Sequence, residues 1–544
     1  MRSQTSCRVT ASLVAAAMAL AACGSSGGDG GTASPENTVD KGVQSGVNDA
    51  LNSTTTAAAA VTTAAAVATT VAAKPASIAD WNALATKERA AVVKRITDNK
   101  WGLSADGKTI TGPEGFSIDV SKCPAGWNNT QGITDTDIKI GNTISQSGTL
   151  AIYGQIAKGI STHLDVINAA GGIKGADGKS RKITYIAKDD GYDAARTIPL
   201  VDELVDSEKV FSVITLGSPN TMKTYDKLNV GCVPQVLSMT GHPAWGDPVK
   251  HPWTTGQQMA YNTEAVLWGA FIEKRAAELK GADGKITVAA LVMNNDFGAA
   301  YNFGFKAWLS QSPLKDQVVY VNETIEPTAP TITDPMTTLT AKKPSVFIAM
   351  TAGTSCTQSI TEAAQNGLKA SAKYLFQPSV CKGASFVGKD KVGGDGSASD
   401  AWWVVGGGLK DAASPIYDAD PWVQSARAEL TAAGVDWKKD QTTLTGSIWG
   451  WSIEQVMSIA SALPGGPTRA NLIVALRAID MTPPFLLEGA KFNMNGNKDA
   501  YLIEASEFAK YDFTKQGFIQ VGDLIELSGK SSNCIWDQAK ATCT

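Results

Sequence analysis

Histidine is scarce in this chain of 544 residues: there are three, His163, His242 and His251. By pattern His163 falls mid-helix, and the other two flank a Pro-rich loop. H-E-x-x-H, G-x-S-x-G and the Walker loop do not occur. "GNTISQSG" lacks the G-x-G-x-x-G spacing of a dinucleotide-binding turn. No two cysteines are spaced C-x-x-C, which argues against zinc and thioredoxin-like chemistry. These gaps leave no nucleophile, metal cluster or cofactor motif, so the expectation is a protein that is not an enzyme and needs no cofactor or metal. Charge is modest, 18% of residues with a net of −4, so no nucleic-acid surface is expected. After residue 22 no apolar run is uninterrupted; the nearest, "AVTTAAAVATTVAA", is broken by threonines.

The first residues carry a different signal. Arg2 and Arg8 precede "VTASLVAAAMALAAC", an apolar run too short to span a bilayer comfortably. It ends in Leu20-Ala21-Ala22-Cys23, and small residues before a cysteine resemble the bacterial lipobox. Residues 1–22 are therefore expected to be a lipoprotein signal peptide, with Cys23 acylated as the mature N-terminus. Removing them takes away two arginines and brings the mature charge to about −6. Stable attachment needs more than one acyl chain. The expected location is extracytoplasmic, at the cell membrane.

Residues 23–76, rich in Gly, Ser, Ala and Thr, read as a disordered stalk. Residues 77–135 read as a small helix-hairpin extension. Asp80 is placed to cap a helix bearing Trp81, Leu84, Val92, Val93 and Ile96, and Asp106-Gly107 to turn a hairpin. Cys123, Cys232, Cys356, Cys381, Cys534 and Cys543 make an even count in an exported chain, hence disulfide candidates. Fifteen pairings are open, and some could stay free buried thiols.

From Ile138 strands and helices alternate. "IKIGNTIS", "KITYIAKDD", "VFSVITLGS" and "VPQVLSM" are strands separated by helical segments; a second such series runs from Asn262 to "AWWVVGG". This predicts βαβ units and parallel sheets in two α/β lobes. The first helix, ending in "VINAAGGIKG", stops on Gly171-Gly172, suited to a left-handed C-cap.

The order of "SGTLAIYGQIAKGISTHLDVINAAGGIKG", "KDDGYDAAR", "ITLGSPNT", "PQVLSMTG" and "PWTTGQQMAYN" resembles the leucine/isoleucine/valine-binding branch of the type I periplasmic binding proteins. The resemblance covers about residues 136–528. It implies two Rossmann-like lobes with parallel sheets joined by three hinge crossovers: lobe 1 at 136–256 and 411–482, lobe 2 at 257–410 and 483–528, with 529–544 left as a tail. It implies an ABC-transporter solute-binding protein that closes on an amino-acid-like or carboxylate ligand and is recognised by the permease subunits. A ligand-sensing receptor or a surface adhesion protein on the same fold are the alternatives.

Ligands of open α/β sheets bind beyond the carboxyl ends of the strands. In lobe 1 this points to Ser147, Tyr153, Ser218, Asn220, Met239, Thr240 and Gly241. The helix starting near Asn220 turns its amides to the crevice, where they suit an anion. By the resemblance Ser218 and the backbone at Thr240 and Gly241 hold a carboxylate; Ser218 also suits a helix cap. In lobe 2 the strand ends offer Asp296, Phe297, Thr351, Ala352 and Ser379. Amino-acid binders of the family carry an acidic residue where Ser379 aligns and an aromatic where Ala352 aligns. Their absence weakens an α-amino-acid ligand, because a buried ammonium needs a partner charge. Trp449 and Trp451 suit either an apolar cavity wall or the core.

Overall fold

Two parallel sheets, each flanked by helices, form the body of the structure, a computed structural model that describes residues 41–53 and 74–543. The expected signal peptide, the acylated Cys23 and the remainder of the stalk lie outside the described residues.

The stalk expectation does not hold across 41–53. These residues form helix α1, Lys41–Ser53. Val43 and Val47, four apart, are fully buried in the lobe 2 core, and Lys274 Nζ donates to the Leu51 carbonyl at 2.6 Å. Burial of two valines fixes a segment whose composition alone does not favour order.

Helix α2, Ile78–Asp98, is capped by Ser77 rather than Asp80. Ser77 Oγ accepts from the Asp80 amide while the Asp80 carboxylate accepts from the Ser77 amide, a capping box. Strands β1 (Gly102–Leu103), β2 (Thr109–Thr111) and β3 (Ser117–Asp119) follow as an antiparallel sheet, with Gly107 at positive φ in the first turn. This segment is part of lobe 1. Ala85, Val92, Ile96, Ile110 and Phe116 share its core, and Glu88 accepts from the amide and hydroxyl of Thr482, both at 2.8 Å.

Lobe 1 contains β4 (Asp137–Ile144), α3 (Gly154–Ala169), β5 (Ile173–Lys174), β6 (Ser180–Asp189), α4 (Ala194–Asp202), β7 (Ser212–Thr215), α5 (Ser218–Val230), β8 (Gln235–Ser238) and β9 (Thr254–Gly256). The sheet order is β5-β6-β4-β7-β8-β9, parallel apart from β5. Gly172, at φ 77°, also abuts the hairpin: a Cβ there would lie 2.2 Å from the Arg181 carbonyl.

Lobe 2 holds α6 (Tyr261–Lys274), α7 (Ala276–Leu279), β10 (Ile286–Met293), α8 (Asp296–Gln311), β11 (Val318–Ile325), α9 (Thr333–Ala341), β12 (Val346–Met350), α10 (Thr354–Gln365), α11 (Leu368–Ser371), β13 (Tyr374–Gln377), α12 (Ala384–Val387), α13 (Lys389–Val392) and β14 (Trp403–Val405). The chain then returns to lobe 1 through α14 (Pro421–Ala432), α15 (Thr443–Ala462) and α16 (Arg469–Arg477), followed by the hairpin β15 (Asp480–Met481) and β16 (Phe492–Asn493). Strands β17 (Phe508–Asp512) and β18 (Gly517–Gln520) complete the lobe 2 sheet, β11-β10-β12-β13-β14-β17-β18, as its antiparallel edge.

Two boundaries differ from expectation. Phe485, Phe492, Met494 and Leu502, assigned by sequence to lobe 2, pack in the lobe 1 core with Trp451, so the last crossover comes near residue 506. The expected tail, 529–544, contains the hairpin β19 (Trp536–Asp537) and β20 (Thr542–Cys543). It packs on both lobes: Trp536 meets His242 edge-on at 4.5 Å and Phe303 at 5.7 Å, and Gln538 donates to Asp296. All six candidate cysteines are paired, as Cys123–Cys232, Cys356–Cys381 and Cys534–Cys543.

One ionic group inside lobe 1 makes stability pH-dependent. His163 on α3 is bonded to Glu429 of α14 at 3.0 Å and Glu454 of α15 at 3.3 Å. Burial opposes its charge, but the two carboxylates outweigh burial and raise its pKa to about 9. Because the folded value exceeds the unfolded one, the contribution is complete below about pH 6.5 and is lost as pH rises through about 9. It is worth roughly 3 kcal/mol at most. Urea midpoints at pH 6 and pH 9.5 should therefore differ more for the native chain than for His163→Gln; equal differences would exclude the role.

Candidate functional site

The carboxyl ends of the two sheets face each other across a cavity of about 120 Å³. By this measure one water needs about 10–15 Å³, so the space suits several waters or a small organic molecule. Lobe 1 contributes Tyr153, Tyr192, Gly217, Met239, Gln441 and Thr442 just before α15, and Leu444, Ile448 and Trp449 from its first turns; lobe 2 contributes Tyr261, Phe297, Ala352, Ser379, Lys382 and Phe386. Six of these side chains are aromatic rings, which makes the wall predominantly apolar.

The lobes are closed on one another. The Gly353 amide donates to Tyr153 Oη at 3.0 Å, Thr149 Oγ1 to the Pro327 carbonyl at 2.8 Å, and Thr442 Oγ1 to Ser385 Oγ at 3.1 Å. The Tyr153 and Phe386 rings meet at 6.0 Å. Burial pushes the Tyr153 hydroxyl up to about 12, so it stays protonated while accepting from Gly353.

Of the residues expected from sequence, Tyr153, Met239, Phe297, Ala352, Ser379 and Trp449 line this cavity. Trp449 is both wall and core, since its indole N–H donates to the Leu237 carbonyl at 2.8 Å. The others are placed elsewhere. Ser218 Oγ and Thr240 Oγ1 are bonded to each other at 2.7 Å, fully buried. Asn220 donates to Asp190 and Thr197 inside lobe 1. Gly241 lies against the Met259 carbonyl, and Ser147 beside Gly191. Thr351 is buried at the end of β12, Asp296 is held by Gln538 of the C-terminal hairpin, and Trp451 packs on Phe485 and Phe492. His242 is buried under Trp536 rather than in a surface loop; burial lowers its pKa to about 3 and keeps it neutral.

Sequence reasoning missed Tyr192, Tyr261, Lys382, Asp411, Gln441 and Glu264. Glu264 on α6 stands behind the wall. Its carboxyl accepts from the Ser379 amide at 2.7 Å, Ser379 Oγ at 2.8 Å and Tyr301 Oη at 2.9 Å. Burial raises its pKa to about 8 despite those bonds. An acid is thus present near Ser379, supplied by an element 115 residues away, but it holds the Ser379 turn and does not line the cavity. The Cys356–Cys381 disulfide ties the same turn to α10.

The two lysines of the wall are ion-paired. Lys382 donates to Glu507 and to the Leu409 carbonyl. Burial lowers its pKa and Glu507 more than restores it. Lys410 donates to Asp420 at 2.8 Å and the Pro484 carbonyl at 2.6 Å. Asp411 accepts from the amides of Ala413 and Ala384, and burial raises its pKa.

With this geometry in hand, comparison places the chain. Residues 137–394 match the family model described as periplasmic binding protein. The chain has the type I periplasmic binding protein fold. A fatty acid ABC transporter substrate-binding protein from Thermomonospora curvata superposes with a TM-score of 0.60 at 16% identity, covering 75% of this chain and 98% of its own. A branched-chain amino acid ABC transporter protein from Thermus thermophilus with bound valine gives 0.60 at 13% identity, covering 72% and 97%. A solute-binding protein of an ABC transporter from Rhodopseudomonas palustris HaA2, in complex with p-hydroxybenzoic acid, gives 0.55 at 16% identity, covering 72% and 98%. Among curated proteins none matches this chain. Helices α1 and α2 and the first sheet precede the segment matched by the family model. Among the described residues no helix is long and apolar enough to cross a membrane.

Proposed function

We propose that this binding protein captures a small solute between its lobes and presents the closed form to the permease of an ABC importer. The observation that carries the reading is a cavity walled by both lobes and sealed by hydrogen bonds across them, Tyr153 to Gly353 foremost. Opening separates those partners and closing around a solute restores them, which is the coupling that hinge capture requires. In this reading the mature chain is tethered on the extracytoplasmic side of the cell membrane through acylated Cys23. Of the amino-acid-like and carboxylate solutes expected from sequence, the aromatic wall favours those with an apolar chain or ring; Asp411, an acid on the wall, already accepts from the Ala384 and Ala413 amides, which disfavours an α-ammonium. The relatives' solutes, valine, a fatty acid and a hydroxybenzoate, all carry apolar bulk.

A thermal-shift screen of the unacylated mature chain against amino acids, amides, and aliphatic and aromatic acids tests this. A solute at 100 times its Kd stabilises by about 2.7 kcal/mol. Tyr153→Phe should bind the same solute with severalfold weaker affinity, because the Gly353 amide loses its acceptor in the closed form. No shift with any class would count against solute capture.

A further inference from the structure

Tyr192 stands between the cavity and the polar end of the crevice. It follows Gly191 in the loop after β6 with φ at 62°, a conformation uncommon outside glycine. The turn lays its ring against Gly217, the N-cap of α5: a Cβ at Gly217 would fall 2.4 Å from the ring. Tyr192 and Gly217 line the cavity, whereas Ser218 and Thr240, which sequence assigned to a carboxylate, do not, and their hydroxyls are spent on each other.

Neither lysine of the remaining wall is free to meet an anion. Lys382 and Lys410 are engaged by Glu507 and Asp420. A carboxylate here would lose its water with no free cation to meet it. In the same wall, Gln441 Oε1 is a buried acceptor without a hydrogen-bond partner among the described residues. An unmatched acceptor asks for an N–H or O–H from the solute.

Building on the solute-capture reading above, we propose that Tyr192, packed on the N-cap Gly217, is a specificity-determining residue that keeps the first turn of α5, Ser218 to Asn220, out of the cavity, so that the protein selects uncharged solutes: an apolar ring or branched chain against the aromatic wall, with a donor for Gln441.

Calorimetry on the unacylated mature chain with two matched pairs, benzamide against benzoate and isovaleramide against isovalerate, tests it. Glycine accepts the φ of residue 192, so Tyr192→Gly opens the subsite without backbone strain. The native chain should prefer each amide at least tenfold. Tyr192→Gly should narrow that preference at least tenfold by binding the carboxylates more tightly. Gln441→Leu should weaken the amides and leave the carboxylates unchanged. A native preference for carboxylates, or a ratio unmoved by Tyr192→Gly, overturns the assignment. So does failure of the native chain to bind any of the four; a charged solute found in the thermal-shift screen would then spare solute capture and sink only this inference.

Discussion

Replacing Glu507 with alanine should cost about 3–5 kcal/mol, the loss expected when one partner of a buried ion pair is removed. The Lys382 and Glu507 side chains are 6% and 1% exposed, so the ammonium left behind cannot recover its hydration. Glu507 also accepts from the Gly408 amide at 3.0 Å. It therefore joins the cavity wall at Lys382 to the crossover at 406–411, just before β17 enters the lobe 2 sheet. Loss of the pair should loosen the cavity as well as the fold. Glu507→Gln keeps the shape and an acceptor but not the charge, and should fall between alanine and the native chain. The double replacement Lys382→Met, Glu507→Leu removes both charges and should recover most of the stability. Urea titration of the three variants decides it; a loss below about 1 kcal/mol for Glu507→Ala would mean that water reaches Lys382.

Gly159→Val should be nearly as damaging, at about 3 kcal/mol or more. Helices α3 and α15 meet backbone to backbone. A Cβ at Gly159 would lie 1.9 Å from the Thr443 carbonyl, and one at Gly446 would lie 2.2 Å from the Ile156 carbonyl. Neither obstacle is a flexible side-chain end, so the helices themselves must part. The displacement reaches the cavity, because α3 begins beside Tyr153 and α15 carries Leu444, Ile448 and Trp449. Reduced stability should therefore be accompanied by weakened solute binding. Val166→Ala on the same helix, where the side chain is 42% exposed, should stay within about 0.5 kcal/mol. Equal melting temperatures for Gly159→Val and Val166→Ala would contradict the close crossing.

The alternation of strand and helix from Ile138 was legible because period-2 and period-3.6 apolar patterns are local properties, and the Asp106-Gly107 turn because positive φ is local too. Ser77 rather than Asp80 as cap was a miss of three residues, since both belong to one reciprocal box. Helix α1 was not legible: its two valines gain order only by burial against lobe 2.

The cavity divides along the same line. Strand order alone showed which loops reach the crevice, because ligand-facing loops follow strand ends, and among the residues it pointed to are Tyr153, Met239, Phe297, Ala352, Ser379 and Trp449, which line the cavity. It did not determine where the side chains on those loops point. Ser218 and Thr240 bond each other, and Trp451 joins Phe485, because buried hydroxyls and large rings settle on whichever partners the packed chain offers. The groups that give the cavity its chemistry come together only in the folded chain. Glu264 meets Ser379 across 115 residues and Lys382 meets Glu507 across 125, and no periodicity or spacing encodes a contact between charges that far apart.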